Sequence, residues 1–220
     1  MIAIIDYGVG NLFSLQSSLK YIGQEAVVTA DPEVIRSADR IILPGVGAYE
    51  DAARKLRGSG MADLVTEVAK AGKPLMGICL GMQLLLEKSY EYGEHEGLGL
   101  IKGSVVPIKG AVPDELKIPH IGWNALKFTG AGSGARADRT GSNEEARGVS
   151  PLFKYIKEGD YVYFVHSFYA ADCGANTIAT TDYGAELTAA VADGNVFGCQ
   201  FHPEKSGDVG MRILKAFCEI

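Results

Sequence analysis

The sequence predicts an α/β protein: a mixed, mostly parallel central sheet flanked by helices, with a small antiparallel layer. Three observations predict it. In the first half, short apolar runs alternate with segments of helical periodicity, the pattern of parallel strands joined by right-handed crossovers. In the second half, strand-like runs follow one another with few helical segments between them. The 28 glycines among 220 residues are nearly twice the usual share. Glycine is costly inside helices and strands, so the excess belongs in turns and close backbone approaches.

Ile2 to Ile5 is wholly apolar and reads as a buried strand. The Gly-rich turn Asp6-Tyr7-Gly8-Val9-Gly10-Asn11 follows, with Asn11 as the expected N-cap of a helix carrying Leu12, Leu15, Leu19 and Ile22 on one face. Ala26 to Thr29 is a second strand. Asp31-Pro32 opens a short helix, with Asp as cap and Pro in the first turn. Arg40 to Leu43 is a third strand, ended by Pro44-Gly45. Helical patterns cover Tyr49 to Leu56 and Met61 to Ala71. Pro74 to Ile78 is a fourth strand, and Leu80 to Glu87 a helix behind it. Further strands are expected at Ser104 to Ile108, Ala125 to Phe128, Tyr161 to His166, Thr177 to Thr181, Ala189 to Val191 and Val196 to Phe201. A last helix sets Met211, Leu214 and Cys218 on one face.

Residues 130–148 stand apart. They hold five Gly and no Val, Leu, Ile, Met or aromatic residue. Such a segment buries too little apolar surface to offset its ordering entropy, so a Gly-rich flexible surface insertion is expected within a single domain spanning 1–220.

Composition narrows the function. The net charge is −6 and there is no Lys/Arg cluster, so nucleic acid is not an expected partner. No apolar run approaches the length of a membrane span, and Met1 to Asp6 has neither a basic region nor a long enough apolar run for a signal peptide. Cys79, Cys173, Cys199 and Cys218 lie far apart with no C-x-x-C pair, which points to free thiols in a reducing cytoplasm. No spacing suggests a metal, and no cofactor is expected.

The strongest chemical signal is Gly77-Ile78-Cys79-Leu80-Gly81 between a strand and a helix, the thiol counterpart of the nucleophile elbow. Its two glycines permit a sharp turn, and the helix N-terminus behind it favours the thiolate. A small buried cysteine at a strand end is the plainer alternative. The second signal is Gln200-Phe201-His202-Pro203-Glu204. In extended chain, residues two apart share a side, so Glu204 is placed to orient His202 and His202 to take the Cys79 proton. Taken alone, the segment also reads as a surface turn. The third is Leu43-Pro44-Gly45-Val46-Gly47, whose backbone N–H groups suit an oxyanion site or an ordinary turn. His166 competes as a base but reads better as a structural or substrate-contacting residue. His120 also reads as structural, and His95 as solvated.

Together these segments resemble the class I glutamine amidotransferases, and among them the HisH-type glutaminase subunits of imidazole glycerol phosphate synthase. Asp6 to Leu12, Pro44-Gly45-Val46-Gly47, Gly77 to Gln83, Lys117 to Asn124, Tyr163 to Ser167 and Gln200 to Ser206 carry the resemblance, which spans nearly the whole chain. It implies a flavodoxin-like fold and hydrolysis of L-glutamine through a glutamyl thioester. Cys79 would be the nucleophile, His202 the base and Glu204 its orienting partner. Leu80 and the Gly45, Val46, Gly47 turn would supply oxyanion donors, and Gly47, Gln83, Ser167 and Phe168 would contact substrate. Phe168 stands where the family pattern has Tyr. The resemblance also implies a heterodimer with a (β/α)8-barrel cyclase that uses the ammonia in histidine biosynthesis. That barrel must be a separate chain, because 220 residues leave no room for one. Asn11, Trp123, Tyr161, Tyr163 and Lys205 match the docking face. Two other readings are a triad hydrolase of γ-glutamyl or peptide substrates on the same fold, and a non-catalytic interaction module.

Overall fold

A computed structural model describes residues 1–130 and 149–220. The expected flexible insertion at 130–148 therefore lies, apart from Gly130, outside the described residues.

The first half follows the sequence pattern closely: β1 (Ile2–Ile5), α1 (Leu12–Tyr21), β2 (Ala26–Thr29), α2 (Pro32–Ser37), β3 (Arg40–Leu43), α3 (Tyr49–Gly58), α4 (Met61–Lys70), β4 (Leu75–Ile78) and α5 (Leu80–Leu85). The short strands β5 (Lys88–Ser89), β6 (His95–Glu96) and β7 (Ser104–Pro107) follow, then β8 (His120–Ala125) and β9 (Lys127–Phe128). After the undescribed stretch come β10 (Tyr161–His166), β11 (Phe168–Ala171), β12 (Thr177–Asp182), β13 (Glu186–Asp193), β14 (Val196–Cys199) and α6 (Gly207–Phe217).

Eight strands form one sheet in the order β2-β1-β3-β4-β14-β13-β12-β9. The β2 to β14 portion is parallel, and β13, β12 and β9 continue it antiparallel. The all-apolar strands are explained by burial on both faces. Along β1, Ala3 and Ile5 join the core under α3 and α4, whereas Ile2 and Ile4 join the core under α1 and α6. Each fully buried Ile contributes about 1.5–3 kcal/mol by leaving water. The smaller layer is only partly the antiparallel one expected: a separate β10-β8 pair is antiparallel, but the β11-β7-β5-β6 sheet is mixed, with β5 parallel to β7.

Five local readings change. Asn11 sits at the N-cap of α1 but makes no side-chain cap bond, whereas Asp31 does accept the Glu33 N–H at 2.9 Å. The expected strand at 125–128 is two strands, β8 and β9, joined through the buried Leu126. The last expected strand ends at Cys199 rather than Phe201, and α5 ends at Leu85. His95 is half-buried rather than solvated: its Nε2 lies 3.1 Å from the Glu91 carbonyl oxygen and its ring packs near Tyr49.

In an open parallel sheet, ligand sites form beyond the carboxyl ends of the strands. Here the loops after β1, β3, β4 and β14 all emerge at that edge, and they carry the three sequence signals.

Candidate active site

Parallel pairing of β4 with β14 sets Ile78 beside Cys199, and the Cys79 N–H donates to the Cys199 carbonyl at 2.8 Å. Two segments 120 residues apart in sequence thus leave the sheet side by side. Cys79 has φ +54 and ψ −112, a conformation that L-residues rarely adopt. The elbow is held by close backbone packing around glycine. A Cβ on Gly81 would lie 1.9 Å from the Leu43 carbonyl oxygen, and one on Gly45 would lie 2.7 Å from the Gly81 nitrogen. The Tyr7 hydroxyl donates to the Pro44 carbonyl at 2.7 Å and pins the start of the Gly45-Val46-Gly47 turn. Beyond that clamp, Val46 is 41% exposed and Gly47 has φ +96.

Glu204 does reach His202, but not by strand alternation. The chain turns at Pro203 into a 3-10 helix over Pro203–Lys205, and this turn brings Glu204 Oε1 to 2.8 Å from His202 Nδ1. Both side chains are 3% exposed. Nδ1 is thereby occupied, leaving Nε2 as the ring nitrogen free to serve Cys79, which shares the cavity wall with His202. Burial alone lowers the His202 pKa. The nearby Cys79 and Glu204 outweigh burial and raise it to about 9. An imidazolium next to the thiol stabilises a thiolate, which is the attacking form.

This raised pKa gives a stability prediction. The folded value lies above the ordinary His value of about 6.5. The contribution is therefore full below about pH 6.5 and is lost as pH rises through about 9. Denaturant unfolding at pH 6 and pH 9 should show a loss on the order of 2–3 kcal/mol from this group. In Glu204→Gln the loss is smaller, with Cys79 still nearby. An equal loss in both proteins would show that Glu204 does not hold the proton.

His166 is removed from contention as the base. Its Nδ1 donates to the Phe168 carbonyl at 2.8 Å and its Nε2 lies 3.0 Å from His120 Nδ1, so neither nitrogen is free for sulfur. Burial pushes its pKa down to about 4. His120 is fully buried and stacks on Tyr183 at 3.9 Å between ring centroids. Its pKa is lowered by burial as well.

A cavity of about 310 Å³ opens over Cys79, lined among others by Val46, Gly47, Leu80, Gln83, Ser167 and His202. Phe168 is part of its wall. Two lining residues carried no sequence signal, Glu91 and Tyr92. Glu91 is the acidic side chain on the wall. It is buried, which raises its pKa, and its carboxylate accepts the Tyr49 N–H at 3.2 Å. Tyr92 has φ +53 and sets its ring edge on Phe168, 5.8 Å between centroids. Their place depends on a loop between two-residue strands, which no periodicity reveals.

The residues matched to a docking face lie largely together. Trp123 and Tyr163 are paired across β8 and β10 and meet edge to face at 6.0 Å. Lys205 Nζ lies 6.0 Å from the Tyr163 ring centre. Trp123 and Tyr161 are 51% and 58% exposed, and Asn11 borders a small cleft shared with His202 and Glu204.

A buried thiol, imidazole and carboxylate lie close together beside the carboxyl edge of a flavodoxin-like sheet, an arrangement suited to acyl transfer. The chain belongs to the class-I glutamine amidotransferases, whose family model matches residues 3–220. Within that class it belongs with the HisH subunits of imidazole glycerol phosphate synthase. Relatives of that name from Caldanaerobacter subterraneus subsp. tengcongensis and Lactococcus lactis subsp. lactis are both 47% identical to it, over 100% and 99% of this chain and 98% of each relative. The fold is likewise that of a crystal structure described as a glutamine amidotransferase, with TM-score 0.71, 19% identity, and cover of 100% of this chain and 98% of that one. It is also that of a Thermotoga maritima PurLQS chain, with TM-score 0.67, 22% identity, and cover of 99% and 97%.

Proposed function

We propose that this chain is the glutaminase subunit of an imidazole glycerol phosphate synthase, acting through Cys79, His202 and Glu204. The observation that carries the reading is the buried Glu204–His202–Cys79 series at the mouth of a cavity of amino-acid size.

In this reading the Cys79 thiolate attacks the side-chain amide carbon of L-glutamine. The N–H of Leu80 and one from the Gly45-Val46-Gly47 turn receive the developing oxyanion. His202 gives its proton to the amide nitrogen, ammonia leaves, and a glutamyl thioester remains on Cys79. His202, now neutral, takes a proton from water. The hydroxide attacks the thioester, glutamate departs, and the thiolate–imidazolium pair is restored. Glu204 holds the imidazole tautomer throughout. Glu91 is suited to the substrate ammonium by charge, and Gln83, Gly47, Ser167 and Phe168 line the rest. At Phe168 only backbone and ring are on offer, not a hydroxyl.

The ammonia is consumed by a separate cyclase, read as a (β/α)8 barrel, in a cytoplasmic heterodimer. An exposed apolar patch formed by Ile121, Trp123 and Tyr161 supports such docking. Among the described residues, no helix is long and apolar enough to cross a membrane.

The test is glutamine hydrolysis by the subunit alone and with the cyclase and its nucleotide ligand. The expected result is weak hydrolysis alone and strong stimulation in the complex. Fast, partner-independent hydrolysis of γ-glutamyl peptides would overturn the assignment in favour of an independent hydrolase.

A further inference from the structure

Gln200 is fully buried, one residue beyond β14, and the mechanism above gives it no task. Its amide lies between two others. Gln83 Nε2 is 3.1 Å from the Phe168 carbonyl oxygen and 3.0 Å from Gln200 Oε1, and Gln200 Nε2 is 3.8 Å from Cys79 Sγ.

The direction of this chain is set at one end. A backbone carbonyl can only accept, so the Gln83 group facing Phe168 must be its NH2. Phe168 also accepts the His166 Nδ1–H on the same oxygen, which fixes that carbonyl in turn. With both its N–H bonds used, on Phe168 and on Gln200, Gln83 has only its oxygen left to offer a ligand. The Gln200 atom facing Gln83 must then be the oxygen, and the atom facing sulfur must be its NH2. A flip of Gln83 would set its oxygen against the Phe168 carbonyl, and a flip of Gln200 would set its NH2 against that of Gln83, in a buried site where an unmade hydrogen bond is costly.

From this geometry we infer that Gln200 is an unassigned donor to the catalytic sulfur. Its N–H holds Cys79 Sγ as an acceptor and favours the thiolate, with its orientation relayed from the Phe168 carbonyl through Gln83. The sulfur then has, besides the neighbouring imidazole of His202, an amide that cannot itself take the proton. A second consequence follows for specificity: Gln83 meets the substrate as an acceptor and so selects an N–H donor. The inference deepens the glutaminase reading and rests on Cys79 being its nucleophile.

The test uses Gln200→Met, which keeps the length and removes the donor, and follows alkylation of Cys79 by iodoacetamide against pH in the full chain. Alkylation at pH 7 should slow about tenfold, the worth of one hydrogen bond to a charged atom. The rate should recover to that of the unsubstituted protein at pH 10, above the ordinary thiol value of about 8.5. A merely structural role would change the rate at both pH values, or at neither. An unchanged profile in a folded Gln200→Met protein overturns the inference. If the variant does not fold, the assigned side-chain amide signal of Gln200 in the unsubstituted protein decides. It should shift with the same pH midpoint as the alkylation rate and lose that dependence in Cys79→Ala. A signal indifferent to Cys79 overturns the proposal. Because the readout needs no glutamine, an inactive glutaminase with a shifted alkylation profile would defeat the functional assignment and leave Gln200 in its role.

Discussion

Cys79→Ala should abolish glutamine-dependent synthesis in the assembled enzyme, with a fall of about 10⁴- to 10⁶-fold in kcat. The same complex supplied with free ammonia should work normally. The size of the loss follows from the route. Without sulfur there is no thioester, and the backbone donors and the bound geometry can assist only direct attack by water. His202 would also lose the partner that most raises its pKa, so the imidazolium proton needed by the leaving group would be held less firmly. The split between glutamine and ammonia is what makes the result diagnostic, because a folding defect or failed docking would reduce both. An unimpaired Cys79→Ala enzyme would remove the thiol from the mechanism.

Gly81→Ala is expected to have the second largest effect, although no side-chain chemistry is altered. Its added Cβ would fall 1.9 Å from the Leu43 carbonyl oxygen and 2.8 Å from the Leu43 carbonyl carbon. Both atoms are backbone at the end of a central strand, so they cannot swing aside as a flexible side chain would. Relief requires α5 and the Leu43-Pro44-Gly45 segment to separate, and that separation moves Cys79 and the Gly45-Val46-Gly47 turn at once. We expect a loss of about 3 kcal/mol in unfolding free energy. We also expect at least about a 100-fold fall in kcat/KM, the scale of a 1 Å misplacement in an active site. Gly58→Ala is the control. Its Cβ would meet nothing within 4 Å, and it should change stability by less than about 0.5 kcal/mol. Equal, small effects at both positions would show that the elbow tolerates expansion.

Much of this was legible in the residues. The parallel half of the sheet announces itself because strands buried on both faces must be apolar throughout, as Ile2 to Ile5 and Leu75 to Ile78 are. The thiol, imidazole and carboxylate were legible because each sits in a short motif whose turn chemistry is local. The route by which Glu204 meets His202 was not. Its alternation was inferred for extended chain, whereas Pro203 starts a 3-10 turn that does the same job differently. β8 went unread because Pro119 precedes it and Gly122, at φ +154, interrupts it. β5 and β6 are two residues long and carry no period at all. The role of Gln200 has a different reason for its silence. The Gln83–Gln200 bond joins residues 117 apart, and it exists only because β14 pairs with β4 in one register. Contacts of that kind belong to the folded sheet and leave no trace in a single segment.

The central claim is that Cys79 carries the glutamyl group during turnover. The direct measurement is to let the assembled enzyme consume glutamine, quench it in acid, and weigh the peptide that contains Cys79. The account predicts a fraction of that peptide heavier by one glutamyl group, labile to hydroxylamine and missing from Cys79→Ala. An active enzyme that never shows the adduct on Cys79, or shows it on another residue, would contradict it.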